Sequence, residues 1–312
     1  MAATRKKIYV YADWMPMTEP ALMGILYAQR LRGKEVFSFE YRPEWLQSEY
    51  ARNLDPDLQL YSGPQYLSDK KPNFGLFLDS SPDRWGRLLM RRREAALARR
   101  EVRKPEPLFV TDYLLGVYDQ HRMGALRFKE NMEGPFLNDN REMAAPPWTS
   151  LRKLQEASLH IEQNDATSDP EYLKWLNLLM APGSSLGGAR PKASILDPKG
   201  QLWIAKFPSK EDLKDVGAWE MVAHDLALKC GMDLAKAKVE RFTTRHHTFL
   251  TQRFDRTPSQ ERIHFASAMT LLGHSDGYSA TEGASYLEMV EFIIREGARV
   301  KQDLEELWRR IV

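Results

Sequence analysis

The sequence predicts an α+β chain in two lobes, a small β-rich subdomain followed by a second sheet that leads into helices. Three features carry that prediction. Short strand-like runs fill the first forty residues, a stretch without apolar period divides the chain, and a loop, strand, turn, strand, helix and hairpin follow it in order. The 312 residues, 43% hydrophobic and 28% charged, suit a folded chain with a sizeable core.

The first unit spans residues 1–130. In it "KIYVYADW", "ALMGILYAQR" and "KEVFSFEY", separated by Pro-rich and Arg-Gly-Lys breaks, read as three antiparallel strands. From Pro82 to Arg103 helix formers run throughout, and the Asp-Arg-Trp-Gly start marks a helix crowded with arginine. Residues 131–150, "NMEGPFLNDNREMAAPPWTS", are rich in Asn, Pro and Gly and read as a connection.

The second unit spans residues 151–312. Helical patterns at Leu151–Gln163 and Glu171–Met180 precede the loop Gly183–Ile195, "GSSLGGARPKASI". Two strands then flank Asp-Pro-Lys-Gly, whose Pro and Gly sit where a tight turn wants them. A helix follows at Val216–Leu228 and stops at Gly231. Strands "KAKVERF" and "HTFLTQRF" come next, and the tail Ser285–Val312 reads as two helices divided by Gly297.

That order is the order of a kinase N-terminal lobe. In such a lobe loop amides approach ATP phosphates, a strand lysine neutralises phosphate charge, and a helix acid orients the lysine. Lys206 and Glu220 stand where those last two roles fall. Taken singly, each has a plainer reading: a surface turn, a lysine snorkelling from a solvated strand, and a solvent-facing helix acid.

Charge and cysteine bound the rest. A net charge of +2 leaves nucleic-acid binding to local clusters, and the strongest is Arg84, Arg87, Arg91, Arg92, Arg93, Arg99, Arg100 and Arg103. The alternative for it is a solvated helix face paired with Glu94 and Glu101. A single cysteine, Cys230, excludes an intramolecular disulfide, and with no membrane-length apolar segment or signal-peptide core the expected location is cytoplasmic. The seven histidines lack metal-ligand spacing.

Over nearly its whole length the chain resembles the HipA-type serine/threonine kinases, toxin components of bacterial toxin–antitoxin systems. The first unit carries "LFLDSSPDRWGRLL" and "DQHRMGALRF"; the second carries "SLGGARPKA", "WIAKFP", "WE" at Trp219–Glu220 and "QRFDR" at Gln252–Arg256. The resemblance implies a kinase-like N-lobe followed by the first helices of a helical C-lobe, with ATP and Mg²⁺ as cofactors. It implies that Ser185 is a loop serine whose autophosphorylation displaces the loop, and that Gly187, Gly188 and Lys192 contact phosphate. Lys206 then binds ATP with Glu220, while Gln252, where the family often has Glu, and Phe254 meet adenine. Core packing is the plainer alternative for Phe254.

The implied partners are a helix-turn-helix antitoxin, through which DNA is reached, and a protein substrate such as an aminoacyl-tRNA synthetase. No membrane partner is expected. The catalytic Asp and the Asn and Asp that hold metal in the family find no match: no Asn follows Asn177, and neither Asp276 nor Asp303 has the spacing. The expectation is therefore a chain lacking the catalytic-loop portion of a full-length relative, impaired in phosphoryl transfer and exposing apolar helix faces. A binding module, or one subunit of a split kinase whose catalytic portion is a separate chain, is the competing expectation.

Overall fold

In the first lobe, alternating apolar residues turn one face of each strand inward. A computed structural model describes residues 5–31, 33–67, 71–162, 171–180, 188, 190–243 and 245–312. Strands β1 (Arg5–Ala12), β2 (Ala21–Leu31) and β3 (Lys34–Tyr41) form the expected antiparallel meander. The tight β2–β3 turn holds Gly33 at φ +80°, a backbone region where glycine pays no Cβ penalty. After the short helix α1 (Pro43–Leu46), β4 (Pro64–Tyr66) adds to one edge, and β5 (Leu126–Lys129) closes the other, giving the order β4-β3-β2-β1-β5. Ile8, Val10, Leu26, Phe39, Phe77 and Phe128 fill the core beneath.

Helices α2 (Gly75–Asp79), α3 (Arg84–Arg100) and α4 (Val110–Gly116) lie between β4 and β5 in sequence. Asp83 caps α3, accepting from the Gly86 N–H at 2.8 Å. Although α3 belongs to the first stretch of chain, Trp85 and Leu89 pack into a second core. There they join Leu154 and Ile161 of α5 (Leu151–Glu162), Leu176 of α6 (Tyr172–Met180), and Ile195. The connection thus lies beside a helix that already bridges the lobes.

The second sheet runs β6-β7-β9-β8, from β6 (Lys192–Leu196), β7 (Leu202–Lys206), β8 (Ala237–Glu240) and β9 (Thr248–Gln252). The β6–β7 hairpin closes as its sequence demands, with Gly200 at φ +75° and Asp197 Oδ1 accepting from the Lys199 and Gln201 N–H groups. One face of this sheet, with Ala193, Ala205 and Leu250, packs in the second core. Helix α7 (Val216–Lys229) lies by the sheet, and its Gly217 allows the close approach: a Cβ there would stand 2.2 Å from the His247 carbonyl oxygen.

Three more helices follow, α8 (Ala268–Leu271), α9 (Tyr286–Glu296) and α10 (Val300–Ile311). Apolar side chains stay exposed on α7 (Trp219, Leu226), α9 (Leu287, Ile294) and α10 (Trp308). No helix among the described residues is long and apolar enough to cross a membrane.

Candidate functional site

The strand register places Lys206, the last residue of β7, directly opposite Lys192, the first of β6. Side chains of directly opposed residues share a face, and like charges there repel, so each lysine needs its own acid. Lys206 finds Glu220, one turn into α7, with Nζ 3.2 Å from Oε1 and 3.1 Å from Oε2. Both side chains are half-buried, and the Phe249 ring lies 5.4 Å from the ammonium. Asp215 fixes the start of α7, accepting from the Ala218 N–H at 3.1 Å and holding His247 through Nδ1 at 2.6 Å. Strand and helix together therefore present a held cation that solvent reaches, a suitable counter-charge for a phosphate.

Lys192 is placed differently. Its side chain is buried, and its ammonium donates to Asp83 Oδ2 at 2.6 Å and to the Gly188 carbonyl at 3.3 Å. Its own carbonyl accepts from Trp85 Nε1 at 3.0 Å. The lysine that the resemblance assigns to phosphate thus ties the end of the glycine loop to the cap of α3. Gly188 has φ +99°; Ser185 and Gly187 lie outside the described residues.

Gln252 and Phe254 stand apart from Lys206. Phe249, opposite Lys206, and Gln252, opposite Trp203, are three positions apart on β9, roughly 10 Å of strand, so their side chains point to opposite faces. Gln252 Nε2 donates to Gln201 Oε1 at 2.8 Å, while Phe254 is about half exposed with its ring 5.7 Å from that of Phe265. A ligand along this ladder would meet Lys206 by side chain but Gln252 from the other side of the sheet or through its backbone.

Sequence reading missed that two of its own marked stretches meet each other. Arg253, fully buried, donates to the His121 carbonyl at 2.6 Å and to both oxygens of Asp255 at 2.8 and 2.6 Å. Asp255 Oδ2 also accepts from the Gly124 N–H and from Arg256, whose other amino group reaches the Gln120 and Arg122 carbonyls. Arg122 is spent on four carbonyls, those of Ser80, Leu114, Val117 and Leu137. Burial pushes the Asp255 carboxyl up, but Arg253 and Arg256 outweigh it and hold it low. The only signal available in sequence was the density of Arg and Asp in both stretches.

The arginine helix is largely spoken for. Arg84 binds Asp276 at 3.0 and 2.8 Å, Arg92 donates to the Ile161 carbonyl, Arg93 holds Asn177 at 2.9 Å, and Arg103 lies between Glu94 and Glu101. Arg91, Arg99 and Arg100 face solvent.

Two comparisons with known proteins give a match. Residues 184–312 match the model of the HipA-like C-terminal domain family. The fold of the whole is similar to a HipA chain in the solved complex of the Shewanella oneidensis MR-1 toxin–antitoxin system with HipA, HipB and operator DNA. That match has a TM-score of 0.54 and 18% identity, covering 96% of this chain and 67% of that one. No curated protein gives a significant match.

Proposed function

We propose that this chain, HipA-type in its fold and in the match of residues 184–312, is the nucleotide-holding part of a protein serine/threonine kinase of a toxin–antitoxin system. The observation that carries the reading is the Lys206–Glu220 pair at the junction of β7 and α7, beside the end of the glycine loop. In this reading Lys206 neutralises an ATP phosphate, Glu220 keeps the ammonium aimed, and the loop amides around Gly187 and Gly188 cradle the remaining oxygens. Ser185 is the regulatory autophosphorylation site, and Gln252 and Phe254 border the base.

Mg²⁺ arrives with the nucleotide. Among the described residues no three His, Cys, Asp or Glu side chains gather around one point. Positioning a substrate hydroxyl needs an Asp, and holding metal needs an Asn; no Asn follows Asn177. In this reading the Lys206 site accounts for holding the nucleotide, and the proposed acceptor is a protein such as an aminoacyl-tRNA synthetase.

The second reading is a binding module that holds a helix-turn-helix antitoxin and meets DNA through it. It is favoured by the exposed apolar residues of α7 and α10 and by the company of HipB and operator DNA around the similar chain. Calorimetric titration with a non-hydrolysable ATP analogue tests the first reading. Binding that weakens by about 10- to 100-fold in Lys206→Met, the worth of one charged hydrogen bond, supports it. Absence of binding to the unmodified chain, or equal binding by Lys206→Met, would overturn it.

A further inference from the structure

At the opposite end of β7 from Lys206, a cleft of about 380 Å³ opens between the β6–β7 turn and the first lobe. Its walls bring together Arg127, Arg256 and Arg262, with Gly200 and Gln260 at the rim. Charge within and behind these walls does not balance. Arg127 and Arg262 share Asp13 and Asp119, at 2.5 to 3.6 Å. Arg253 and Arg256 must share the single Asp255. Arg122 donates to four carbonyls and lies 4.7 Å from the Phe128 ring, with no carboxylate at salt-bridge distance among the described residues.

Two positive charges are thus left over in a largely buried cluster, and burying uncompensated charge is costly. Burial, with Arg262 close by, pushes Arg256 down to about 9, and burial does the same to Arg122. Arg256 has spent its two amino groups on Asp255 and on carbonyls, and its Nε has no partner among the described residues. A dianion in the cleft would supply the missing charge without breaking any of these bonds.

We infer that this cleft is an anion site, separate from the nucleotide position, that takes a phosphate group, either inorganic phosphate or the monoester of a small metabolite. The guanidiniums act here through their charge and the Arg256 Nε rather than through an open fork, and the glycine and glutamine at the rim leave room for a small ester. The two positions differ in character: Lys206 is held by an acid in balance, whereas the surplus lies on Arg256 in the cleft wall and on Arg253 and Arg122 behind it.

The test uses the full chain carrying Lys206→Met, so that the proposed nucleotide position is disabled. Inorganic phosphate and glycerol phosphate are titrated against chloride at equal ionic strength, read by thermal unfolding and by ³¹P line broadening. Saturable binding of either phosphate is expected, the tighter of the two naming the source. Gln260→Glu, an exposed position that puts a negative charge at the rim and removes no arginine, is expected to weaken it at least tenfold. Arg127→Gln should weaken it too, and where that variant is less stable the Gln260→Glu result decides. No saturable binding, equal stabilisation by chloride, unchanged affinity in Gln260→Glu, or binding seen only when Lys206 is intact would each overturn the assignment.

Discussion

Replacing Asp83 by asparagine removes one charge from a buried contact while leaving the helix cap in place. The Asp83 and Lys192 side chains are 3% and 6% exposed, with Nζ 2.6 Å from Oδ2. The other carboxylate oxygen accepts from the Gly86 N–H, a role an asparagine oxygen fills equally well. Losing one partner of a buried pair costs about 3–5 kcal/mol, because the other charge stays buried. Asp83→Ala loses the cap as well, another ~1 kcal/mol. Lys192→Met should cost about as much as Asp83→Asn, yet the double variant, with no buried charge left, should recover most of the loss. Urea unfolding at constant m-value gives each free energy, and the double-mutant cycle gives a coupling of ~3 kcal/mol or more. A cost below ~1 kcal/mol for Asp83→Asn, or a coupling near zero, would refute the claim that this pair joins the glycine loop to the first lobe.

Glu220→Gln and Lys206→Met should each change stability by no more than ~1 kcal/mol, since that pair is half-exposed, while nucleotide affinity falls; unfolding and calorimetry on the same samples separate the two effects. The His264 ring packs against Trp14 with both of its nitrogens shielded from solvent and unpartnered, and desolvation pushes its pKa from 6.5 to about 4. The unfolded chain therefore binds a proton first, and stability should fall by about 3 kcal/mol as pH drops from about 6.5 to 4. In His264→Phe that share of the slope should vanish from unfolding curves taken across the window. Gly217→Ala sets a methyl against the His247 carbonyl and should shift the start of α7, costing about 1–3 kcal/mol and weakening nucleotide binding through Glu220; unchanged affinity would show that α7 does not aim the lysine.

Periodic elements were readable. The meander β1–β3, the Asp-Pro-Lys-Gly hairpin, α7 and the α9–α10 pair each carry enough repeats of their pattern to declare themselves. By contrast β4, β5, α2 and α4 span three to seven residues, too few for a period to emerge. Within the site, Lys206 and Glu220 were legible because strand and helix are neighbours in the chain. Lys192 was not, because the acid that claims it lies 109 positions earlier. For the same reason "QRFDR" suggested only a nucleotide border, while three of its five side chains face a partner stretch that no local pattern could announce.

The junction around Asp255 also sets a timetable for synthesis. Gly124 waits for a partner 131 positions further on, and Arg262 reaches Asp119 across 143 positions. At ribosomal speeds of about 5–20 residues per second, roughly 7–30 s separate the emergence of the β5 flank from that of the arginines that seal it. During that interval the carbonyls of Asp119, Gln120, His121, Arg122 and Gly124 lack the arginines that later take them, and must be satisfied by water.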